Sequence, residues 1–160
     1  MSRSGAPSAG RQVALVVGTF AALGLALALA GYTTTNWARV QFLTGAGGSA
    51  PQTFGPVFVA LSVFQTTVTL FFAGPVVATV LGLLSGSRFR DRRRAGVVAG
   101  GGALVGFFAM AGLGLLGIAA VTGIGQAYSL GQAVGPLLLS GVGAAVAGGV
   151  AGVMGSAFVR

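Results

Sequence analysis

The stretch Ser85-Gly86-Ser87-Arg88-Phe89-Arg90-Asp91-Arg92-Arg93-Arg94-Ala95 carries five of the nine basic residues in the chain and its only acid. Away from it the sequence is nearly free of charge: residues 12–38, 40–87 and 95–159 contain no Asp, Glu, Lys or Arg. A helix rises 1.5 Å per residue, so about 20 apolar residues cross a hydrocarbon core about 30 Å thick. The first run holds one such span, near 12–32, and the second holds one, near 56–84. The third is long enough for two, 96–121 and 136–159, separated by the turn-rich TGIGQAYSLGQAVG of 122–135. The expected fold is an all-α integral membrane protein. Its four transmembrane helices form two helical hairpins, a single domain over 12–160 behind a disordered tail, 1–11.

Composition points the same way. The 160 residues are 54% hydrophobic and only 6% charged, whereas a soluble domain carries about 25% charged residues. There is no His, no Cys, no Lys and no Glu, and Asp91 stands alone. Paired carboxylates, a thiolate nucleophile, a Ser-His-Asp triad and zinc or haem ligation all need residues that are absent. The expectation is therefore no enzyme: no catalytic residue, no cofactor and no metal.

Charge also sets orientation. With four spans, Arg3, Arg11, Arg88, Arg90, Arg92, Arg93, Arg94 and Arg160 fall on one side and only Arg39 on the other. The positive-inside bias then puts both termini and the 85–95 loop in the cytoplasm of a multi-pass cell (plasma) membrane protein. Tyr32, Trp37 and Tyr128 fall at the outer ends, where amphipathic rings favour the interface. Arg88, Arg90, Arg92, Arg93 and Arg94 would face anionic lipid headgroups, at about 1 kcal/mol each. Topology suffices to explain that cluster, and no nucleic acid is expected. Asp91 is expected to pair with Arg88 or Arg94, an exposed contact of little value.

Local signals place the boundaries. Pro56 and Pro136 each follow a Gly and suit a first helical turn, where the missing N–H costs nothing. Ser85-Gly86-Ser87 should stop the second helix, and Gly74-Pro75 should kink it. The outer segment 33–55 is the longest extramembrane piece, with Trp37, Val40, Phe42 and Leu43 laid on the membrane surface. As a partner-binding loop it outranks the others, a plain connection being the simpler reading. Ala28-Leu29-Ala30 before Gly31 resembles a signal-peptidase site. An Ala-rich helix makes that pattern by chance, so retention of residues 1–30 is expected, and cleavage would leave the other spans' orientation unchanged.

Three patterns bear on packing. Thr44-Gly45-Ala46-Gly47 with Gly55-Pro56 is echoed by Thr122-Gly123-Ile124-Gly125 with Gly135-Pro136. Two parallel copies of a hairpin would produce this, and so would chance among 30 glycines. Gly112-Leu113-Gly114-Leu115-Leu116-Gly117 matches a dinucleotide fingerprint, but it lies inside an apolar span with no acid after it. Small residues form a stripe in the fourth span (Gly141, Ala145, Gly148, Gly152, Gly155) and another in the third (Gly96, Ala99, Ala103, Gly106). Lipid gives helices no hydrophobic reason to associate, so close backbone approach along such seams must supply it. The third helix is expected on the fourth, with self-association or a partner subunit as the alternative use.

The second span has the only polar stripe, Ser62, Gln65, Thr66 and Thr69, expected to point into the bundle. It would make interhelical hydrogen bonds or line a path for a small uncharged solute. No ionisable side chain lies in any span, which disfavours ion-coupled transport. The expected function is a structural or accessory subunit acting through helix packing, as a homo-oligomer or within a larger membrane complex. The competing expectation is a small pore or facilitator formed by an oligomer around that polar face.

Overall fold

The computed structural model describes residues 8–41, 49–122 and 130–158. Among these the chain is helical apart from caps and one turn: α1 (Ala9–Arg39), α2 (Ser49–Gly86), α3 (Arg92–Thr122) and α4 (Leu130–Ala157). All four are long and apolar enough to cross a membrane.

Each helix outruns its expected span, for local reasons. The Ser8 hydroxyl accepts from the Arg11 N–H at 3.4 Å and caps α1. Residues 9–11 are therefore helix rather than tail, and 1–7 lie outside the described residues. α1 then continues through 33–39. The Thr33 and Thr34 hydroxyls donate back to the carbonyls of Leu29 and Ala30, at 3.0 and 2.8 Å, so these threonines need no loop to satisfy them. Much of the supposed outer connection 33–55 is thus helical, because 49–55 belong to α2. At the end of α1, Trp37 and the C-cap Val40 are exposed, while Phe42 and Leu43 fall outside the described residues.

Pro56 and Pro136 do not begin helices. α2 starts at Ser49 and α4 at Leu130, which leaves both prolines in helix interiors. A membrane helix tolerates this because each proline removes one donor while the surrounding turns stay bonded. α2 also runs unbroken through Gly74-Pro75. It stops at Gly86, where the Ser87 N–H reaches the Leu83 carbonyl at 3.1 Å and the Ser87 hydroxyl reaches that of Leu84 at 2.9 Å. Phe89 tucks its ring inward from the turn. Asp91 then caps α3: its Oδ1 accepts from the Arg93 N–H at 3.0 Å. That use of the carboxylate replaces the expected pairing with Arg88 or Arg94, since bare N–H groups at a helix start favour an acid there.

Around the bundle the order is α1, α3, α4, α2. The α1–α3 and α2–α4 pairs are parallel: Gly102, Gly106 and Gly117 meet Val16, Phe20 and Ala28, while Gly82 and Gly86 meet Gly148 and Gly152. α2 and α3 touch across the short diagonal, and α1 makes no contact with α4 among the described residues. α3 is consequently the central helix, with 50% of its most apolar stretch buried against 17% for that of α1. Phe20, Leu70, Phe107 and Met110 close the centre, all fully buried. The two hairpins lie side by side with like helices parallel. The T-G-x-G halves of the internal echo, 44–47 and 122–125, lie outside the described residues except for Thr122.

Candidate helix interfaces and lipid-facing surfaces

The α3–α4 contact is made of backbone and methyl groups. A methyl group at Gly152 would sit 2.7 Å from the Ala99 Cβ and 2.8 Å from the Ala95 carbonyl oxygen. One at Gly148 would sit 2.9 Å from the Ala103 Cβ, and one at Gly96 would sit 2.9 Å from the Val153 Cγ2. Gly100, which the spacing argument passed over, lies against the Ala145 carbonyl at 2.9 Å by the same measure. Helices this close gain dispersion and Cα–H···O contacts without any hydrophobic term.

Two residues assigned to this seam face elsewhere: Gly106 receives the Phe20 ring from α1, and Gly155 lies on the Leu83 backbone of α2. Gly141 stays on the seam, where it receives the rings of Phe107 and Phe108 of α3. These two rings meet edge to face at 5.7 Å. The reason is placement: α4 sits in the groove between α2 and α3, so one stripe of small residues serves two neighbours. The α2–α4 seam uses Gly82 and Gly86, and the α1–α3 seam uses Gly24 against the Met110 backbone and Gly117 against Ala28. A signal for the former was present, since Gly82-Leu83-Leu84-Ser85-Gly86 is a G-x-x-x-G run. Within the fingerprint-like 112–117, Gly114 receives Leu70 and Gly117 meets Ala28, while Gly112 has open space. Those glycines pack helices.

The polar face of α2 is not where it was expected. Gln65 and Thr69 are exposed on the outside of the bundle, Thr66 is half-buried, and the Ser62 side chain lies outside the described set. The inward face of α2 is instead Leu70, Gly74, Ala78, Gly82 and Ser85. Two facts make the outward placement tolerable. The Thr69 hydroxyl donates to the Gln65 carbonyl at 2.9 Å, so it is satisfied within its own helix. Gln65 also lies roughly 31 Å along the axis from Gly86, about the full thickness of a hydrocarbon core, so a core that began at Gly86 would end near this amide.

At the other end, Arg11, Arg88, Arg90, Arg92, Arg93 and Arg94 gather on one side of the bundle, all exposed. Between α1 and α2 at that end lies a cleft of about 130 Å³. Leu15, Val16, Leu81 and Leu84 form its apolar walls, and Gln12, Thr19, Ser85 and Arg88 supply the polar part of its lining. The chain matches no protein-family model, no curated protein and no solved structure.

Proposed function

We propose that the chain is a structural or accessory membrane subunit that packs the outer half of α2 against a partner helix. In this reading the arginine-rich end and both termini lie in the cytoplasm of a cell membrane. The carrying observation is α2 itself. Its 38 residues make a rod about 57 Å long, nearly twice the hydrocarbon thickness. Its inner half packs on α3 and α4 with Phe72 and Val76 turned outward, and beyond the length that a hydrocarbon core covers from Gly86, Val57, Leu61 and Phe64 remain exposed at 61%, 58% and 55%. Their spacing puts these three on one face. An apolar helix longer than its bilayer is relieved by tilt or by association, at fractions of a kcal/mol per Å. The glycine seams are occupied inside the chain, so a partner must be met by side chains, and this stripe offers them. The orientation rests on Arg11 and the 88–94 cluster sharing one end.

The absence of Cys makes the test clean. Leu61→Cys, oxidised mildly in the native membrane, should give a disulfide-linked dimer or a heavier adduct whose mass names the partner. Leu139→Cys, 77% exposed on α4, should give none. A Leu61→Cys chain that stays uncross-linked, together with a monomeric mass by native mass spectrometry, overturns the reading. One observation favours the pore reading: Gln65 and Thr69 lie outside the bundle, where they could line only a space between copies. Solute flux into liposomes that is lost in the Gln65→Leu, Thr69→Val double variant would assign the function to that face.

A further inference from the structure

We propose that the cleft between the arginine-rich ends of α1 and α2 is a binding site for the phosphate of an anionic phospholipid. At about 130 Å³ it has room for about four waters, too little for a whole lipid and enough for a phosphate with its glycerol end. The polar inventory of the cleft selects an anion. The Thr19 hydroxyl is committed to the Leu15 carbonyl at 2.9 Å, and the Ser85 hydroxyl to that of Gly82 at 3.3 Å. Gln12 is 3% exposed and has no side-chain hydrogen bond among the described residues. None of its polar atoms is fully sealed, however, so the amide opens to the cleft it lines. The donors left for a ligand are therefore the Gln12 amide N–H groups and the Arg88 guanidinium. No acid lies nearer in sequence than Asp91, whose carboxylate is engaged at the start of α3.

The walls select a lipid over a free anion. Leu15 and Leu84 border the cleft and are 52% and 60% exposed on the outside of the bundle. An acyl chain leaving the site would lie along them. Basic pockets between helices at one membrane face take headgroups in this manner, and a buried amide supplies the fixed donor that a mobile arginine cluster lacks. The site does not depend on which partner covers α2.

Native mass spectrometry of the protein from mixed phosphatidylcholine and phosphatidylglycerol micelles tests this. One phosphatidylglycerol per chain should be retained in preference to phosphatidylcholine. The preference should fall about tenfold or more in Gln12→Leu and in Arg88→Gln, as befits losing a hydrogen bond to a charged group. Arg90→Gln, outside the cleft, should keep it. Gln12→Glu, which preserves shape and reverses the preference for anions, guards against a misfolded Leu variant. Three outcomes overturn the proposal. One is unchanged retention in both cleft variants. Another is a loss that follows Arg90 as strongly as Arg88, which would mean diffuse charge. The third is displacement of the lipid by millimolar inorganic phosphate, which would mean a soluble anion site.

Discussion

At the arginine-rich end of the bundle, Gly152 of α4 lies against the Ala95 carbonyl and the Ala99 methyl of α3. Further along α3, Gly114 receives the side chain of Leu70 from α2. The same contrast recurs across the bundle. Gly82, Gly86 and Gly155 meet backbone atoms of Gly148, Gly152 and Leu83, whereas Gly74 and Gly106 take in the rings of Phe107 and Phe20. At some of these positions glycine lets two backbones touch; at others it is a notch for a large side chain. A backbone carbonyl in a helix cannot step aside, but the end of a leucine or a ring can turn. What glycine contributes is thus set by its neighbour, and the two kinds of position should answer differently to one added methyl group.

Gly152→Ala should show the largest effect, a loss of about 2–3 kcal/mol in folding stability, read from unfolding in mixed detergent and SDS. Removing volume from the opposite helix should not repair it. Ala99→Gly removes one of the two obstacles, but the Ala95 carbonyl, 2.8 Å from the added methyl, remains. Full rescue by Ala99→Gly would show that the seam is as adaptable as the notches and would dissolve the distinction.

Gly114→Ala should cost less, about 1–2 kcal/mol, because only the Leu70 side chain obstructs it. Combined with Leu70→Val, which shortens that side chain, the loss should be smaller than the sum of the two single losses by about 1 kcal/mol. Strict additivity would mean that Leu70 had already moved aside, and the notch would not exist as described.

The sequence made some of this visible and hid the rest, for physical reasons. Uncharged runs of helical length announce spans, because charge is what a hydrocarbon core excludes. The stripe at Gly148 and Gly152 was visible because residues spaced by four share a face. Its neighbours were not. In a soluble helix the apolar side reveals where the core lies, but a membrane helix is apolar all round, so pattern alone leaves its inward direction open. That is why Gly106 and Gly155 were assigned to the wrong helix, and why the α1–α3 seam at Gly24 and Gly117 went unread. Gln65 misled for the opposite reason. Burial of polar groups inside the bundle is a rule for the middle of a bilayer, and a sequence pattern does not say how far along a helix that middle extends. Asp91 showed its charge but not its geometry, since a helix cap is a property of the turn it sits in.

The run Gly100-Gly101-Gly102 compresses the comparison into three consecutive residues of α3. Successive side chains on a helix point about 100° apart, so this central helix aims the three at different surroundings. Gly100 faces the Ala145 carbonyl of α4, Gly101 has nothing within 4 Å, and Gly102 faces Val16 of α1 at 3.3 Å. All three carry the same helix-propensity penalty relative to alanine, up to about 1 kcal/mol. Gly101→Ala should recover it and leave the protein as stable as before or slightly more so. Gly102→Ala should be close to neutral, because the Val16 side chain must give by a few tenths of an ångström and that offsets the gain. Gly100→Ala should destabilise by about 1–2 kcal/mol, since the obstacle there is backbone. The ranking, Gly101 best tolerated and Gly100 worst, depends on no common property of glycine, only on the neighbour. Equal effects at all three positions would show that propensity governs α3 and that its close contacts with α1 and α4 carry little of the fold.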